Sequence, residues 1–428
     1  MSNRRSNPFK DIIRKVWSKL KQTRPTFSTD YHQSVIDKVL NCGDPSNGYV
    51  EYRCQDCWHD THKVAFSCKS KFCIYCSRKS SNDFIEEVSG KLHPDVVYRH
   101  LILTMPSILG VFFYKNRMDK TLLKMFMWAG RDFIEDVFRK ITRVYDLQIG
   151  CLTVIHSAGR KGNWNPHLHI IVMNGGLSPS TGRWVNLRNF PYKKYLPKKW
   201  QWHLLTMVKK YCSSLETNKM VDELWKEYPN GFVNKFQKGD VPRKMGHLVR
   251  YLAKYISKPS ISVSSIKKVD HQKEQVTYKY KDHRTHREKY ETCSFFDFVG
   301  RLGQQILPKC FHRIKYFGLQ HPSSYKKKSK LISEGMVKSG MKISSDTFVV
   351  KYAVGNWKWE RDPRKCSMCS SVLEISRIWS KKYGTLFDIF DDWKKSIPPP
   401  KDEPKTINNF ALNNEVRGLC GIQLSFYF

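Results

Sequence analysis

The sequence predicts an α+β fold with a central, mainly antiparallel sheet. Two strand-like stretches, residues 151–156 and 167–173, flank the polar, turn-rich segment SAGRKGNWNP, which is typical of an antiparallel hairpin with a long loop. Helical patterns alternate with further strands along the chain. Alternation of this kind, combined with hairpin links, indicates α+β and a mainly antiparallel sheet.

The N-terminal elements come first. An amphipathic helix is expected around residues 11–20, and a second over residues 29–40 with an apolar stripe that includes Ile36 and Val39. A strand over residues 100–105 is stopped by Pro106, and a long helical pattern follows over residues 116–145.

The second half continues the alternation. A helix over residues 245–258 ends at Pro259, and strands at 276–281 and 311–317 flank a helix over 294–307. The chain therefore divides into three regions. These are residues 1–97 with the closely spaced cysteines, residues 98–323 with the sheet, and a basic region, residues 324–428, that holds one further Cys-x-x-Cys.

The charge of the chain indicates a polyanionic partner. The 75 Lys and Arg residues outnumber the 38 acidic ones and give a net charge of +37. Nucleic acid is the commonest partner of so basic a chain, and an aromatic content of 13% supplies faces on which unpaired bases stack.

No run of about 18 apolar residues appears, and the basic N-terminus lacks the apolar stretch of a secretory signal. We therefore expect no membrane association and a cytoplasmic, nucleoid-associated location. Cysteines in that compartment stay reduced and are interpreted as metal ligands or packing residues.

Two Cys-x2-Cys pairs, Cys54/Cys57 and Cys73/Cys76, are separated by fifteen residues. Two such turns complete a tetrahedron around one structural Zn²⁺. Nearby alternative ligands are Cys68, Cys42, His59 and His62, and a second ion that uses some of them is the less favoured interpretation. Whether Cys366 and Cys369 bind metal stays open. Basic residues around the pairs, Lys69, Lys71 and Arg78, are candidates for contacts with DNA phosphates.

A second motif is His167-Leu-His169, preceded by Asn165-Pro166. In a strand, residues i and i+2 point to the same face, so both imidazoles can share one ion and leave positions open for phosphate oxygens and water. His156 on the preceding strand is a candidate third ligand, although the sequence does not fix the register. Histidines in ordinary strand positions are the competing interpretation.

The third motif is Tyr251-x3-Tyr255, which places two phenols one turn apart on one helix face. A stacked aromatic pair in a core is the alternative. Because a tyrosine pKa lies near 10, attack on a phosphate needs a metal ion that draws charge from the phosphoryl oxygens. Arg250 and Lys254 on the same helix are further candidates for DNA contacts.

Together these motifs resemble the two-tyrosine HUH transposases of rolling-circle insertion sequences, which combine an N-terminal transposase zinc-binding domain with an HUH endonuclease domain. The stretches CKSKFCIYC, VTYKYKDHR and FVGRLGQQILPKCFHRIKYFG are similar to the corresponding family segments. Asn165 and Gln305 stand where the family often has histidine, Cys310 stands where glycine is usual, and the Cys366/Cys369 pair lacks the family's glycine-rich sequel.

The resemblance implies Mg²⁺ or Mn²⁺ at the histidines and cleavage of single-stranded DNA through a 5′-phosphotyrosine, with either tyrosine acting first. The element's ends and the target site are the implied substrates, and host replication proteins the implied partners. A rolling-circle replication initiator or relaxase is the nearest alternative. A non-catalytic, zinc-dependent nucleic-acid-binding protein and an inactive transposase are the others.

Overall fold

The structure is a computed structural model that describes residues 8–70, 72–76, 88, 90–187, 195–236, 261–282, 285, 287–343 and 364–389. The helices within these residues are α1 Pro8–Thr23, α2 Asp30–Leu40, α3 Ser107–Lys115, α4 Lys120–Thr142, α5 Tyr195–Tyr211, α6 Leu215–Glu227, α7 Phe295–Gly303 and α8 Tyr325–Lys338. The strands are β1 Gly48–Arg53, β2 Thr61–Ala65, β3 Tyr98–Leu103, β4 Gln148–Ala158, β5 Trp164–Ser178, β6 Arg183–Asn186, β7 Asn234–Phe236, β8 Ile266–Asp270, β9 Gln275–Lys281, β10 Glu288–Ser294, β11 Ile314–Gly318, β12 Glu374–Ser380 and β13 Gly384–Asp388.

The chain folds into two compact units, and the first is discontinuous in sequence. Met1–Cys76 and Ala353–Phe428 form one unit, and Ser77–Tyr352 form the other. The sequence indicated three consecutive regions instead. The difference arises because β12 pairs with β1, so that one sheet has the order β13-β12-β1-β2. The C-terminal Cys-x-x-Cys therefore belongs to the cysteine-rich unit.

Both expected N-terminal helices are present. The apolar face of α1 buries Ile12, Ile13 and Leu20 completely. Thr29 caps α2, since its Oγ1 accepts a hydrogen bond of 3.2 Å from the backbone N–H of His32. The two helices lead into β1, and β1 and β2 form an antiparallel hairpin.

The second unit contains the central antiparallel sheet that the sequence predicts, in the order β11-β4-β5-β3-β7, with β6 paired to β5. The expected hairpin is confirmed as β4 and β5, and both strands extend beyond the predicted bounds. The fold class is therefore a mixture of helices and antiparallel sheet, as expected.

One face of this sheet carries the larger apolar core, and α4 lies against it. Gly130 allows this close approach, because a Cβ there would lie 2.7 Å from Leu168 Cδ1 and 3.1 Å from Ile170 Cδ1. The opposite face buries Ile171 and Met173 together with Ile332 and Met336 of α8. The strand β5 is thus fixed on both faces by packed side chains.

A smaller sheet, β10-β9-β8, holds the loop of the β4–β5 hairpin. Tyr278 of β9 donates a hydrogen bond of 2.9 Å to the carbonyl of Lys161, and Arg160 donates one of 2.8 Å to the carbonyl of Lys281. The strand expected at 276–281 is confirmed, and the helix expected at 294–307 is α7, which is capped by Ser294 and ends at Gly303. The helix expected over 245–258 lies outside the described residues.

Candidate functional site

Three histidines meet on neighbouring strands of the central sheet. His167 and His169 lie on β5, and His156 on β4 is the direct cross-strand partner of His167. One ring nitrogen from each of the three lies within 4.8 Å of the others. The register that the sequence left open therefore brings His156 to the pair, and we call these three residues the histidine cluster.

The alternation of β5 explains why the cluster faces away from the larger core. Leu168, Ile170 and Val172 are completely buried in that core, as the sequence indicated. Side chains at alternate positions point to the other face of a strand. The packing of the apolar residues thus fixes the direction of His167 and His169.

Hydrogen bonds determine which nitrogen His167 offers. Its Nδ1 lies 2.7 Å from the backbone carbonyl of Asn165. A carbonyl only accepts, so Nδ1 carries the proton and the lone pair of the neutral ring is on Nε2. His167 is therefore prepared to bind a cation through Nε2.

His169 has a comparable partner in a third strand. Its Nδ1 lies 2.8 Å from Nε2 of His100, which belongs to β3. When Nδ1 of His169 donates this bond, Nε2 of His169 is left as the ligand atom. The sequence analysis did not identify His100, because the sequence does not indicate that β3 pairs with β5. The one signal that could have pointed to it was a histidine in the strand expected at 100–105.

Burial keeps these imidazoles neutral. It lowers the pKa of His169 well below its usual value, and the neighbouring His156, His167 and His100 lower it further. Burial also lowers the pKa of His167, against a smaller opposing effect of the Asn165 carbonyl, and lowers that of His100 to about 4. Neutral imidazole is the form that binds metal ions, so the ligand atoms are available at neutral pH.

Gln305 connects two segments of the chain next to the histidine cluster. Ser157, which follows His156, donates a hydrogen bond of 2.6 Å to Gln305 Oε1, and Gln305 Nε2 donates one of 3.2 Å to the carbonyl of Gly162. The glutamine thereby joins the end of β4 to the hairpin loop.

The two tyrosines of the sequence motif, Tyr251 and Tyr255, lie outside the described residues, as do four candidate DNA-binding residues, Lys71, Arg78, Arg250 and Lys254. Lys69 is described and partly buried in the loop that follows β2, with a left-handed backbone φ of 49°. The contacts of these five basic residues with DNA remain predictions.

The cysteines form two clusters, and this corrects the grouping that the spacing indicated. Cys54 and Cys57 lie with Cys366 and Cys369, whereas Cys73 and Cys76 lie with Cys42 and Cys68. We call the first set the hairpin-turn cluster and the second the hairpin-base cluster.

The β1–β2 hairpin separates the two predicted pairs. Cys54 and Cys57 occupy its turn, while Cys42 precedes β1 and Cys68 follows β2 at its open end. Strands of five residues span about 17 Å, so one ion cannot bind at both ends. The nearby Cys68 and Cys42, considered as alternative ligands, are members of the hairpin-base cluster, whereas His59 and His62 belong to neither cluster.

Both clusters have the donor type and spacing of zinc sites. In the hairpin-base cluster, the Sγ of Cys76 lies 3.3 Å from that of Cys42 and 3.5 Å from that of Cys68, and Cys73 lies 4.0 Å from Cys42. A tetrahedron with Zn–S bonds of 2.3 Å has sulfur–sulfur edges of about 3.8 Å. Four thiolates at such distances fit Zn²⁺ and leave no open position.

Comparison with known proteins identifies the family. Residues 150–329 match the model of a family described as putative transposase, and residues 12–105 match a transposase zinc-binding domain of the IS91 type. The chain belongs to the IS91 family of insertion-sequence transposases. Its N-terminal part is the zinc-binding domain of that family, as the cysteine motifs indicated.

Two curated relatives agree with this assignment. The transposase for insertion sequence element IS801 of Pseudomonas savastanoi pv. phaseolicola is 29% identical over 309 residues, which cover 68% of this chain and 70% of the relative. Putative transposase y4qJ of Sinorhizobium fredii is 24% identical over 336 residues, covering 72% and 79%. No solved structure matches the chain significantly.

The histidine cluster lies within the part of the transposase that matches the putative-transposase family. Among the described residues of the transposase, no helix is both long enough and apolar enough to cross a membrane. DNA is the substrate that transposition requires, and the charge of +37 is in keeping with it.

Proposed function

We propose that this transposase cleaves and rejoins single-stranded DNA at the ends of its element by transesterification, with Tyr251 and Tyr255 as nucleophiles. The observation that carries the proposal is the histidine cluster, in which His156, His167 and His169 converge from two paired strands. A divalent cation held there would lie on the face of the sheet opposite the larger apolar core.

The donor set favours Mn²⁺ over Mg²⁺ as the catalytic ion. Three neutral imidazole nitrogens suit a transition metal, whereas Mg²⁺ prefers oxygen ligands in octahedral geometry. When bound, such an ion draws negative charge from the oxygens of the scissile phosphate and so favours attack by a weak nucleophile.

The bonds of the proposed reaction balance without a nucleotide cofactor. The phenolate oxygen of one tyrosine bonds to phosphorus while the bond between phosphorus and the 3′ oxygen breaks. The 3′ oxygen takes up a proton and leaves as a free hydroxyl, and the 5′ phosphate stays on the tyrosine. Attack of another strand's 3′ hydroxyl on this phosphotyrosine restores the phosphodiester and releases the phenol.

Two nucleophiles allow two cleavages in one cycle. One tyrosine cuts the element's end and the other cuts the target site or the opposite end before the strands are joined. The free 3′ hydroxyl is the terminus that host replication proteins extend, and the basic charge supports a location on the nucleoid.

The test uses labelled single-stranded DNA from the flanks of the transposase gene, the purified full-length protein, and Mn²⁺, Mg²⁺ or EDTA. We expect a protein–DNA adduct on a denaturing gel with Mn²⁺ and none with EDTA. Tyr251→Phe together with Tyr255→Phe abolishes the adduct and leaves DNA binding on a native gel unchanged. Tyr145→Phe, at a tyrosine that is 85% exposed, is the matched control and keeps the adduct.

A parallel set tests the histidines. His167→Asn and His169→Asn each remove the adduct at low Mn²⁺ concentration, whereas His312→Asn, at an exposed histidine of the same unit, does not. Adducts that survive the double tyrosine substitution refute the nucleophiles, and adducts that form in EDTA refute the role of the cluster. DNA that is bound but never cleaved under any metal refutes the enzymatic proposal and supports a binding protein.

A further inference from the structure

The hairpin-turn cluster joins cysteines that are more than 300 positions apart in the chain. The Sγ of Cys54 lies 3.6 Å from that of Cys57 and 3.4 Å from that of Cys369, and Cys57 lies 3.3 Å from Cys366. Each half is a Cys-x2-Cys turn, one from the β1–β2 hairpin and one immediately before β12. Sulfur atoms at these separations fit one tetrahedral ion.

Other thiol chemistries fit this spacing poorly. A disulfide requires about 2.05 Å between its sulfur atoms and joins each sulfur to one other. Here four cysteines surround one point, so that each thiol has several sulfur neighbours. An iron–sulfur cluster must place several irons and inorganic sulfides between its cysteines, and Sγ atoms 3.3–3.6 Å apart leave no room for them.

The backbone around the cluster is organised on both sides. The N–H of Cys54 donates to the carbonyl of Asp60, and the N–H of Cys366 donates to the carbonyl of Ser371 at 2.8 Å. The two turns also bind each other directly, because the carboxylate of Asp60 accepts hydrogen bonds from the backbone N–H and the hydroxyl of Ser367. The four thiols are therefore held in place by contacts besides their own.

The apolar support at this junction is small. Among the residues that the structure describes, Leu373 is the one large buried apolar side chain grouped with Cys54 and Cys366, and the partly buried Tyr52 packs beside them. Strands that bury so little apolar surface are marginal on their own. The end of the β1–β12 pair that carries the cysteines thus has little apolar packing of its own, and a bound ion would add stability there.

We propose that Cys54, Cys57, Cys366 and Cys369 bind a Zn²⁺ ion that fastens the C-terminal segment onto the N-terminal zinc-binding domain. A separate Zn²⁺ is bound by the hairpin-base cluster, so the transposase holds two structural zinc ions per chain. The matched zinc-binding domain covers residues 12–105, but two ligands of this ion, Cys366 and Cys369, follow the central sheet in the sequence.

Metal analysis of the full-length protein tests the assignment. We expect two zinc atoms per chain in the wild type and one after Cys366→Ser with Cys369→Ser. Adding Cys54→Ser and Cys57→Ser to that variant removes no further zinc, because all four residues serve the same ion. Combining Cys54→Ser and Cys57→Ser with Cys73→Ser and Cys76→Ser instead removes both ions.

The control variant carries Cys212→Ser and Cys310→Ser, which lie outside both clusters, and keeps two zinc atoms. Hydrogen exchange provides a second readout: the Cys366/Cys369 variant loses amide protection in β12 and β13 while β4 and β5 keep theirs. A Cys366/Cys369 variant that still holds two zinc atoms, or a wild type that holds one, overturns the proposal. Iron in place of zinc overturns the identity of the ion.

Discussion

The histidine cluster and the two cysteine clusters are built in opposite ways. The histidines come from one hairpin of a sheet that is packed on both faces, so their geometry follows from the core. The cysteines are collected from separate segments around a small sheet. Around the hairpin-turn cluster, the grouped apolar side chains are few. The packed sheet therefore fixes the geometry of the histidines, whereas the proposed zinc ions would stabilise the segments that carry the cysteines.

Removal of zinc by a chelator should produce the largest difference in stability between the two units. Structural zinc contributes about 10–16 kcal/mol to small domains, so its removal should unfold the sheet of β1, β2, β12 and β13. The central sheet should keep its structure because its stability comes from apolar packing. Hydrogen exchange followed by mass spectrometry, with and without a strong chelator, measures protection in both sheets.

A chelator saturated with Zn²⁺ in advance is the control and should leave both sheets protected. Equal loss of protection in β1 and β5 would remove the distinction between the units. Protection of β1 that survives complete zinc removal would show that the cysteine clusters are not needed for folding.

The next largest effect should come from the core beneath the histidines. Leu168 is completely buried against α4, so Leu168→Ala leaves a cavity and should cost about 2–5 kcal/mol. Leu373→Ala in the hairpin-turn cluster should cost less while zinc is bound, because Leu373 is 7% exposed and has few large apolar neighbours. The free energy from the slowest-exchanging amides of each unit measures both, and a larger loss for Leu373→Ala contradicts the comparison.

The same difference explains which residues a local sequence pattern could bring together. His167 and His169 follow a two-residue period and His156 lies one hairpin away, so local pattern brings them together once the strands are recognised. Cys54 and Cys73 also follow a local pattern, but the sequence did not indicate the β1–β2 hairpin that separates them. The contribution of Cys366 depends on β12 pairing with β1, a contact across most of the chain that no local spacing encodes.

The smallest of these effects concerns the hydrogen bonds that orient the ligands. His169 depends on the side chain of His100, whereas His167 depends on a backbone carbonyl. His100→Leu removes the acceptor for Nδ1–H of His169 and should weaken Mn²⁺ binding about 10- to 100-fold. His100→Gln retains an acceptor oxygen and should recover part of the affinity, and titration calorimetry with Mn²⁺ measures each variant.

Asn165→Ala is the matched control for this contact, because it removes an exposed side chain and keeps the carbonyl that orients His167. It should bind Mn²⁺ as the wild type does. A purely structural role for His100 predicts that the leucine and glutamine variants lose thermal stability together without a selective change in Mn²⁺ affinity. A leucine variant that melts at the wild-type temperature but binds Mn²⁺ weakly instead assigns His100 to the orientation of His169. Leucine keeps a buried side chain at this position and removes only the hydrogen bond.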